Sequence, residues 1–233
     1  MFRSTVNTST APDFQTGNAN LKPELATGVD IAYEHFWAKG ASMSLSATVR
    51  NLTDYNSRSI LLIGNRWVNT PLNKGNATSR SIEFDAKFPL ETVYKNAPPI
   101  DFRYNMARNF SRVEEVPGPN NRLDQQVPFN ATLGLDYRMR GGKIVAGAST
   151  TFRSGGDVRV TANQSRYLTP KRDLDMYVLY KYTPSLQFRL RMANILRQDT
   201  INSTTFTDAS GRTTSSSTNP SAMNIGASME IKF

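Results

Sequence analysis

The chain contains one histidine, His35, and no cysteine. Thiol nucleophiles, disulfides and cysteine-ligated metal sites are excluded. His35 lies next to Phe36 and Trp37 at the end of an alternating segment, with no nucleophile and orienting carboxylate paired to it. It reads as an interfacial residue and not as a general base. Glu114 and Glu115 are adjacent, with Arg112 close by, in a polar stretch that looks like a solvated surface. EF-hand spacing, a P-loop and a dinucleotide fingerprint are all missing. The expectation is a chain that is not an enzyme and carries no cofactor and no metal site. The remaining chemistry is electrostatic. Arg153, Arg159, Arg166, Lys171 and Arg172 fall in one long connection with only Asp157 and Asp173, which leaves it cationic. That connection is either a solvated loop, some of it facing anionic headgroups, or a docking surface for an anionic ligand.

Any such loop must be held by a scaffold, and the composition limits what the scaffold is. The 233 residues carry a formal charge of +9, but the basic residues are dispersed and form no Lys/Arg run of the kind nucleic acids select. No nucleic-acid partner is expected. Ser, Thr and Asn make up more than a quarter of the chain and the mean hydropathy is −0.47, poor material for a thick aliphatic core. No apolar run approaches the roughly 18 residues of a membrane-spanning helix. The first residues, Met1-Phe2-Arg3-Ser4-Thr5, do not read as a signal peptide.

Apolar residues alternate with period two along most of the chain, which predicts strands with one apolar face. Met223, Ile225, Ala227, Met229, Ile231 and Phe233 alternate with Asn224, Gly226, Ser228, Glu230 and Lys232. Phe129–Met139 splits as cleanly, and Leu25–Phe36, Ala41–Arg50, Ile82–Leu90, Ile100–Phe110, Ile144–Phe152, Leu174–Tyr182 and Leu186–Ile195 show weaker versions. The polar faces carry mid-strand charges such as Glu83, Asp85 and Lys87, or Arg189 and Arg191. Connections between these nine strands are alternately short and long. Lys39-Gly40, Arg140-Gly141-Gly142-Lys143 and Thr183-Pro184-Ser185 suit the tight turns. A meander of this kind gathers every tight turn at one end and every long loop at the other. A sandwich has no reason to sort its loops, whereas an up-and-down membrane barrel does. The fold class expected is all-β: an antiparallel transmembrane barrel, incomplete at about nine strands, with its apolar face on outer-membrane lipid and its polar face wet. Aromatic groups near strand ends, Tyr33/Phe36/Trp37 among them, fit interfacial girdles.

Several stretches then resemble the TonB-dependent outer-membrane receptors. Gly17-Asn18-Ala19-Asn20-Leu21-Lys22-Pro23-Glu24 resembles that family's N-x-N-L-K-P-E segment at a strand entrance. Pro23 suits such a place, since it lacks a ladder donor and biases Lys22 toward extended geometry. Val49-Arg50-Asn51-Leu52-Thr53-Asp54-Tyr55 is similar to the family's N-L-x-D-x-Y strand ending. Ser79-Arg80-Ser81-Ile82-Glu83-Phe84 resembles S-R-G-I-E-x, with Ser81 where Gly is usual. Met229, Ile231 and Phe233 resemble the aromatic-terminated signal read by the barrel-assembly machinery. The resemblance implies the outer membrane of a Gram-negative bacterium and a place in the last part of a barrel of about twenty-two strands. Residues 1–24 would be the tail of a preceding extracellular loop plus a strand entrance, and 25–233 the C-terminal barrel portion. It also implies active uptake of a ferric siderophore or similar scarce ligand, with the TonB complex acting only through an N-terminal plug region absent from this chain. A passive channel or adhesin-like barrel without energy coupling is the alternative.

Overall fold

The computed structural model describes residues 14–64 and 66–231. In chain order its strands are β1 (Phe14–Gln15), β2 (Leu25–Ala38), β3 (Ala41–Thr53), β4 (Asn56–Ile63), β5 (Arg66–Asn73) and β6 (Ala77–Pro89). They continue with β7 (Ile100–Val113), β8 (Phe129–Arg138), β9 (Ile144–Arg153), β10 (Gly156–Arg159) and β11 (Gln164–Leu168). The last are β12 (Lys171–Lys181), β13 (Leu186–Ala193), β14 (Thr200–Asp208), β15 (Gly211–Asn219) and β16 (Asn224–Ile231). Nine of them form one antiparallel sheet in the order β16-β13-β12-β9-β8-β7-β6-β3-β2. These are the nine segments that alternation picks out. The sheet is an up-and-down barrel wall that is not closed, with β2 and β16 at its edges.

Register is constant along every ladder of this wall except for a bulge between Phe36 and Ala38. Because side chains alternate, constant register carries one face across all nine strands. Val29 meets Val49, Leu45 meets Phe84, Phe84 meets Met106, Tyr104 meets Leu133, Leu135 meets Ala148, Ala148 meets Met176 and Leu190 meets Ala227. Nothing among the described residues covers this apolar face: Leu25, Ile31 and Ile225 are 62%, 69% and 60% exposed. Total accessible surface is 15561 Å², against about 10,500 Å² for a compact protein of this mass. A sandwich would have buried that face.

At the short-turn end, Gly40, Gly141 and Gly142 adopt φ of 78°, 92° and 68°, left-handed values that glycine reaches without a Cβ clash. Tyr33, His35, Trp37, Phe88 and Phe102 form a continuous aromatic row there, with neighbouring centroids 5.2–6.4 Å apart. His35 lies stacked between Tyr33 and Trp37. Phe36 departs from the expected girdle, since the strand's alternation puts it on the polar face.

Three of the four long connections carry strands of their own, and only the second, between β7 and β8, is irregular. β10-β11-β14-β15 form a four-stranded sheet, and β4 and β5 pair as a hairpin that β1 joins in parallel. These strands escape a search for alternation because Ile60-Leu61-Leu62-Ile63 is uniformly apolar and Gly211–Asn219 is wholly non-aliphatic, with Ser and Thr at six of its nine positions. Strand propensity and backbone pairing, not an apolar face, build them. The buried apolar side chains gather at this end: Ile60, Val68, Ala77, Val113, Val116, Val158, Val160 and Phe206, with Ala41 the exception.

Candidate functional site

The polar face of the wall holds a connected row of charge. Alternation puts Arg103, Asp136, Tyr177, Arg189, Arg191 and Glu230 on this face, and register sets them side by side. An Arg103 guanidinium N–H donates to Asp136 Oδ2 at 2.9 Å, and the Tyr177 hydroxyl donates to Asp136 Oδ1 at 2.5 Å. The next carboxylate, Asp101, pairs with Arg138. Arg189 lies 5.4 Å from the Tyr177 ring centroid and 3.9 Å from Glu230, an ion pair too long for a hydrogen bond. Gly147 makes the row possible, because a Cβ there would collide with the Tyr177 ring and the Asp136 carboxylate. These groups line a concavity of about 720 Å³ together with Asp175 and Ser149. No nucleophile is set against a base here; the row offers paired donors and acceptors to whatever fills the lumen side.

Above the wall, the four long connections are joined to one another. Buried Lys74 on the first donates from Nζ to the Val160 carbonyl on the third at 2.9 Å. Burial pushes its amine below the ordinary lysine range, against the pull of Glu115 and Asp124. Arg159 donates to the Pro117 carbonyl at 3.0 Å, and Arg166 pairs with Asp124 at 2.7 Å, linking the third connection to the second. Arg122 donates to the Asp157 carbonyl at 2.6 Å, and burial lowers its guanidinium pKa. Trp67 on the first packs edge-on against Phe206 on the fourth, centroids 5.0 Å apart, and donates from Nε1 to Asp208 Oδ2 at 3.1 Å. Asp208 is held below its ordinary value chiefly by the Ser210 hydroxyl. The Gly17–Glu24 segment is fastened to the β4–β5 hairpin. Asn18 donates to the Pro71 carbonyl, the Lys22 N–H to Asn73 Oδ1 and the Asn56 N–H to Glu24 Oε2, at 2.9–3.1 Å.

The five loop cations therefore have separate fates. Lys171 and Arg172 belong to strand β12, not to a loop, and alternation sends them to opposite faces. Lys171 lies 3.3 Å from Asp173 on the polar face, directly across from Arg153. Arg172 is on the apolar face, 5.9 Å from the Phe152 ring centroid. Arg159 and Arg166 are engaged as described. Arg153, exposed at the end of β9, has no ion pair among the described residues. Met229 and Ile231 lie on the apolar face of β16, and Phe233 lies outside the described residues. The Arg103–Asp136–Tyr177 row was not anticipated; its members share the polar parity of their strands, but only register brings them together. Among the described residues, no group of three or more His, Asp or Glu could hold a metal.

The family model described as TonB dependent receptor-like, beta-barrel matches residues 1–195. No curated protein sequence matches the chain. Among solved structures the chain is similar to the copper transporter OprC, at 14% identity and TM-score 0.66, over 92% of this chain and 33% of that one. It is also similar to a mutant of the ferric enterobactin receptor PfeA from Pseudomonas aeruginosa in complex with enterobactin, at 14% identity and TM-score 0.63, over 94% and 33%. A third is the FrpB iron transporter from Neisseria meningitidis, at 14% identity and TM-score 0.60, over 94% and 32%. The chain thus spans about a third of the length of each.

Proposed function

The chain belongs to the TonB-dependent receptor-like β-barrel family, and from that premise we propose that it forms the C-terminal wall of an outer-membrane active-uptake receptor in a Gram-negative bacterium. The cargo is a ferric siderophore or a similar scarce metal chelate, and the energy comes through TonB by way of a plug within the complete barrel. The observation that carries this reading is the sorting of the sheet: one face exposed and apolar, the other charged, with every long connection folded at one end. Residues 25–233 supply wall and outer loops, and residues 1–24 the tail of the preceding loop and a strand entrance. Met229, Ile231 and Phe233 serve as the signal for the barrel-assembly machinery. The paired charges of the Arg103–Asp136–Tyr177 row face the plug. Arg153 and Lys171, adjacent on the polar face at the loop end, meet an anionic ligand, with Arg159 and Arg166 framing its entry and Arg172 set apart on the opposite face.

The test is iron-limited growth of cells lacking the gene, with ferric enterobactin as sole iron source and a copper-chelate arm alongside. Loss of uptake in the deletion strain, and equally in cells whose proton gradient is collapsed, is the expected result. Uptake that persists without the gradient, together with open-pore conductance of the reconstituted protein, would replace the receptor with a passive channel.

A further inference from the structure

The short-turn end carries a row of unpaired cations. Lys39 lies in the β2–β3 turn, Lys95 in the β6–β7 connection, Arg140 and Lys143 in the β8–β9 turn, and Lys181 ends β12 at the turn to β13. All five are exposed, and none forms an ion pair among the described residues. The carboxylates at this level do not neutralise them. Asp101 is paired with Arg138 and Glu230 with Arg189, which leaves Glu91 alone to set against five cations. Glu34 and Asp85 stand further from the turns, beside Lys87 in a hollow of the polar face.

Two of the five repel each other. The Lys181 N–H donates to the Lys143 carbonyl at 2.7 Å, one step beyond the Tyr180–Ile144 pair of the β9–β12 ladder. Their side chains thus leave adjacent strands about 5 Å apart at Cβ, with Arg140 in the same turn as Lys143. Like charges directly opposite each other destabilise a sheet, and no carboxylate among the described residues pairs with either lysine. An anion from outside the chain would offset that repulsion.

Where these cations stand decides what kind of anion that is. On the lipid-facing parity the last residues at this end are Trp37, Phe88, Ile100, Met139, Tyr182 and Leu186, with no charge among them. A phospholipid headgroup beside the wall would meet rings and alkyl groups there. Lys39, Lys95, Arg140 and Lys143 instead stand in turns beyond the aromatic row, and Lys181 shares the polar parity of Tyr177, so all five face water. A small anion would not stay with them, because a single exposed ion pair is weak and screened by salt. From the β2–β3 turn to the β12–β13 turn the sheet order gives six strand spacings, roughly 29 Å at about 4.8 Å each. A polymer with carboxylates repeated along it engages several of these cations at once.

We infer that this rim docks onto the carboxylate-bearing stem peptides of the peptidoglycan layer, holding the short-turn end of the barrel against the cell wall. The inference rests on the outer-membrane orientation in the proposed function, which puts the short turns in the periplasm.

The test uses the protein as made in its cell envelope, purified in nonionic detergent and spun with insoluble peptidoglycan sacculi. The expected result is co-sedimentation that falls at least about tenfold when an amidase has stripped the stem peptides from the glycan, and likewise in about 0.5 M salt. The K39Q/R140Q/K143Q/K181Q variant should lose at least about tenfold in the same assay while keeping its heat-modifiable electrophoretic shift. If that variant fails to assemble, the comparison of whole and amidase-treated sacculi on the unaltered protein decides. Equal sedimentation with both kinds of sacculi, or with neither, overturns the inference. So does preferential retention of phosphatidylglycerol over phosphatidylcholine in mixed nanodiscs that the same variant loses, which would assign the rim to headgroups. The orientation beneath the inference has its own readout: Ser185→Cys should resist a membrane-impermeant maleimide on intact cells and react once the outer membrane is permeabilised. Labelling of intact cells would place the short turns outside and overturn that orientation, whereas a protected cysteine without sedimentation overturns the docking alone.

Discussion

An arginine placed on the apolar face of β8 should destabilise the protein according to its height in the band. Leu133 lies opposite Tyr104 on one side and Thr150 on the other, four residues above Tyr137 at the short-turn margin. Four residues of tilted strand climb roughly 10 Å, close to the middle of an apolar band about 25 Å tall. Leu133→Arg should then cost about 2–4 kcal/mol, a shift of roughly 30- to 1000-fold in the folding equilibrium. Thr132, the next residue along, points to the other face and shares a 3.1 Å hydroxyl contact with Thr151. Thr132→Arg forfeits that contact and little else, about 0.5–1.5 kcal/mol. Asp136, although on the same polar face, is a poor control, because it already accepts from Arg103 and Tyr177. The assay is urea titration of folding into lipid vesicles, followed by the heat-modifiable shift. Arg108, on the same apolar face but eight residues above Ile100 at the short-turn margin, supplies an internal calibration, since Arg108→Leu should change stability by no more than about 1 kcal/mol. Equal penalties at Leu133 and Thr132 would refute the assignment of faces on which the rest depends.

Gly147→Val should misplace Tyr177 and Asp136, at about 1–3 kcal/mol for the forced rearrangement, whereas Tyr177→Phe should lose only one hydrogen bond to a carboxylate, about 1.5–3 kcal/mol with the backbone unmoved; comparing their urea midpoints and near-UV spectra separates the two. Trp67→Ala should detach the first long connection from the fourth, removing an aromatic contact of about 0.5–1.5 kcal/mol, and limited proteolysis should then cut near Ser210-Gly211 faster with wall assembly unchanged. Lys74 gives a pH dependence. Its folded pKa lies below the ordinary 10.5, so the opened loops bind more protons and the closed assembly gains stability as pH rises through that interval. The protection factor around Val160, which divides out the base-catalysed rise in intrinsic exchange, should increase with pH, and Lys74→Met should abolish the increase.

The wall was legible because period-two alternation reports a physical division that the final structure keeps: one face apolar and uncovered, the other charged. All nine strands follow from it, and so does the gathering of long connections at one end. What the alternation could not supply is adjacency across strands. Asp136 shares a parity with Arg138, but which of Arg103, Arg138 or Tyr177 it meets depends on register, and register depends on pairings that one sequence does not state. The outer sheets were illegible for a different reason. Gly211–Asn219 has no apolar face at all, and its place is set by pairing with Thr200–Asp208. Arg108 and Arg172, on the apolar face, occupy an intermediate case. Arg108 falls in phase with Phe102, Tyr104 and Met106, so a sequence reader could have marked it as a charge on the wrong parity and asked what solvent meets it.

The two halves of the molecule are stabilised by different means, and the difference bears on the proposed uptake. The wall has almost no buried side chains, so its cohesion is the hydrogen-bond ladder plus whatever covers its apolar face; lipid alone supplies the latter without closing off the polar side. The outer assembly has a small apolar centre in Ala77, Val113 and Val116 with Leu52, Tyr55 and Leu123 around it. Its third and fourth connections share the five-pair β11–β14 ladder, whereas the first and second are tied to them mainly by single contacts from Lys74, Arg159, Arg166 and Trp67. Each such contact is worth on the order of 1 kcal/mol, against ladders of six to thirteen paired residues within the wall. A ligand that competes for even one or two of them can rearrange the loops without disturbing a wall strand. Arg166 is the most exposed to such competition, because an anionic ligand and Asp124 would seek the same guanidinium.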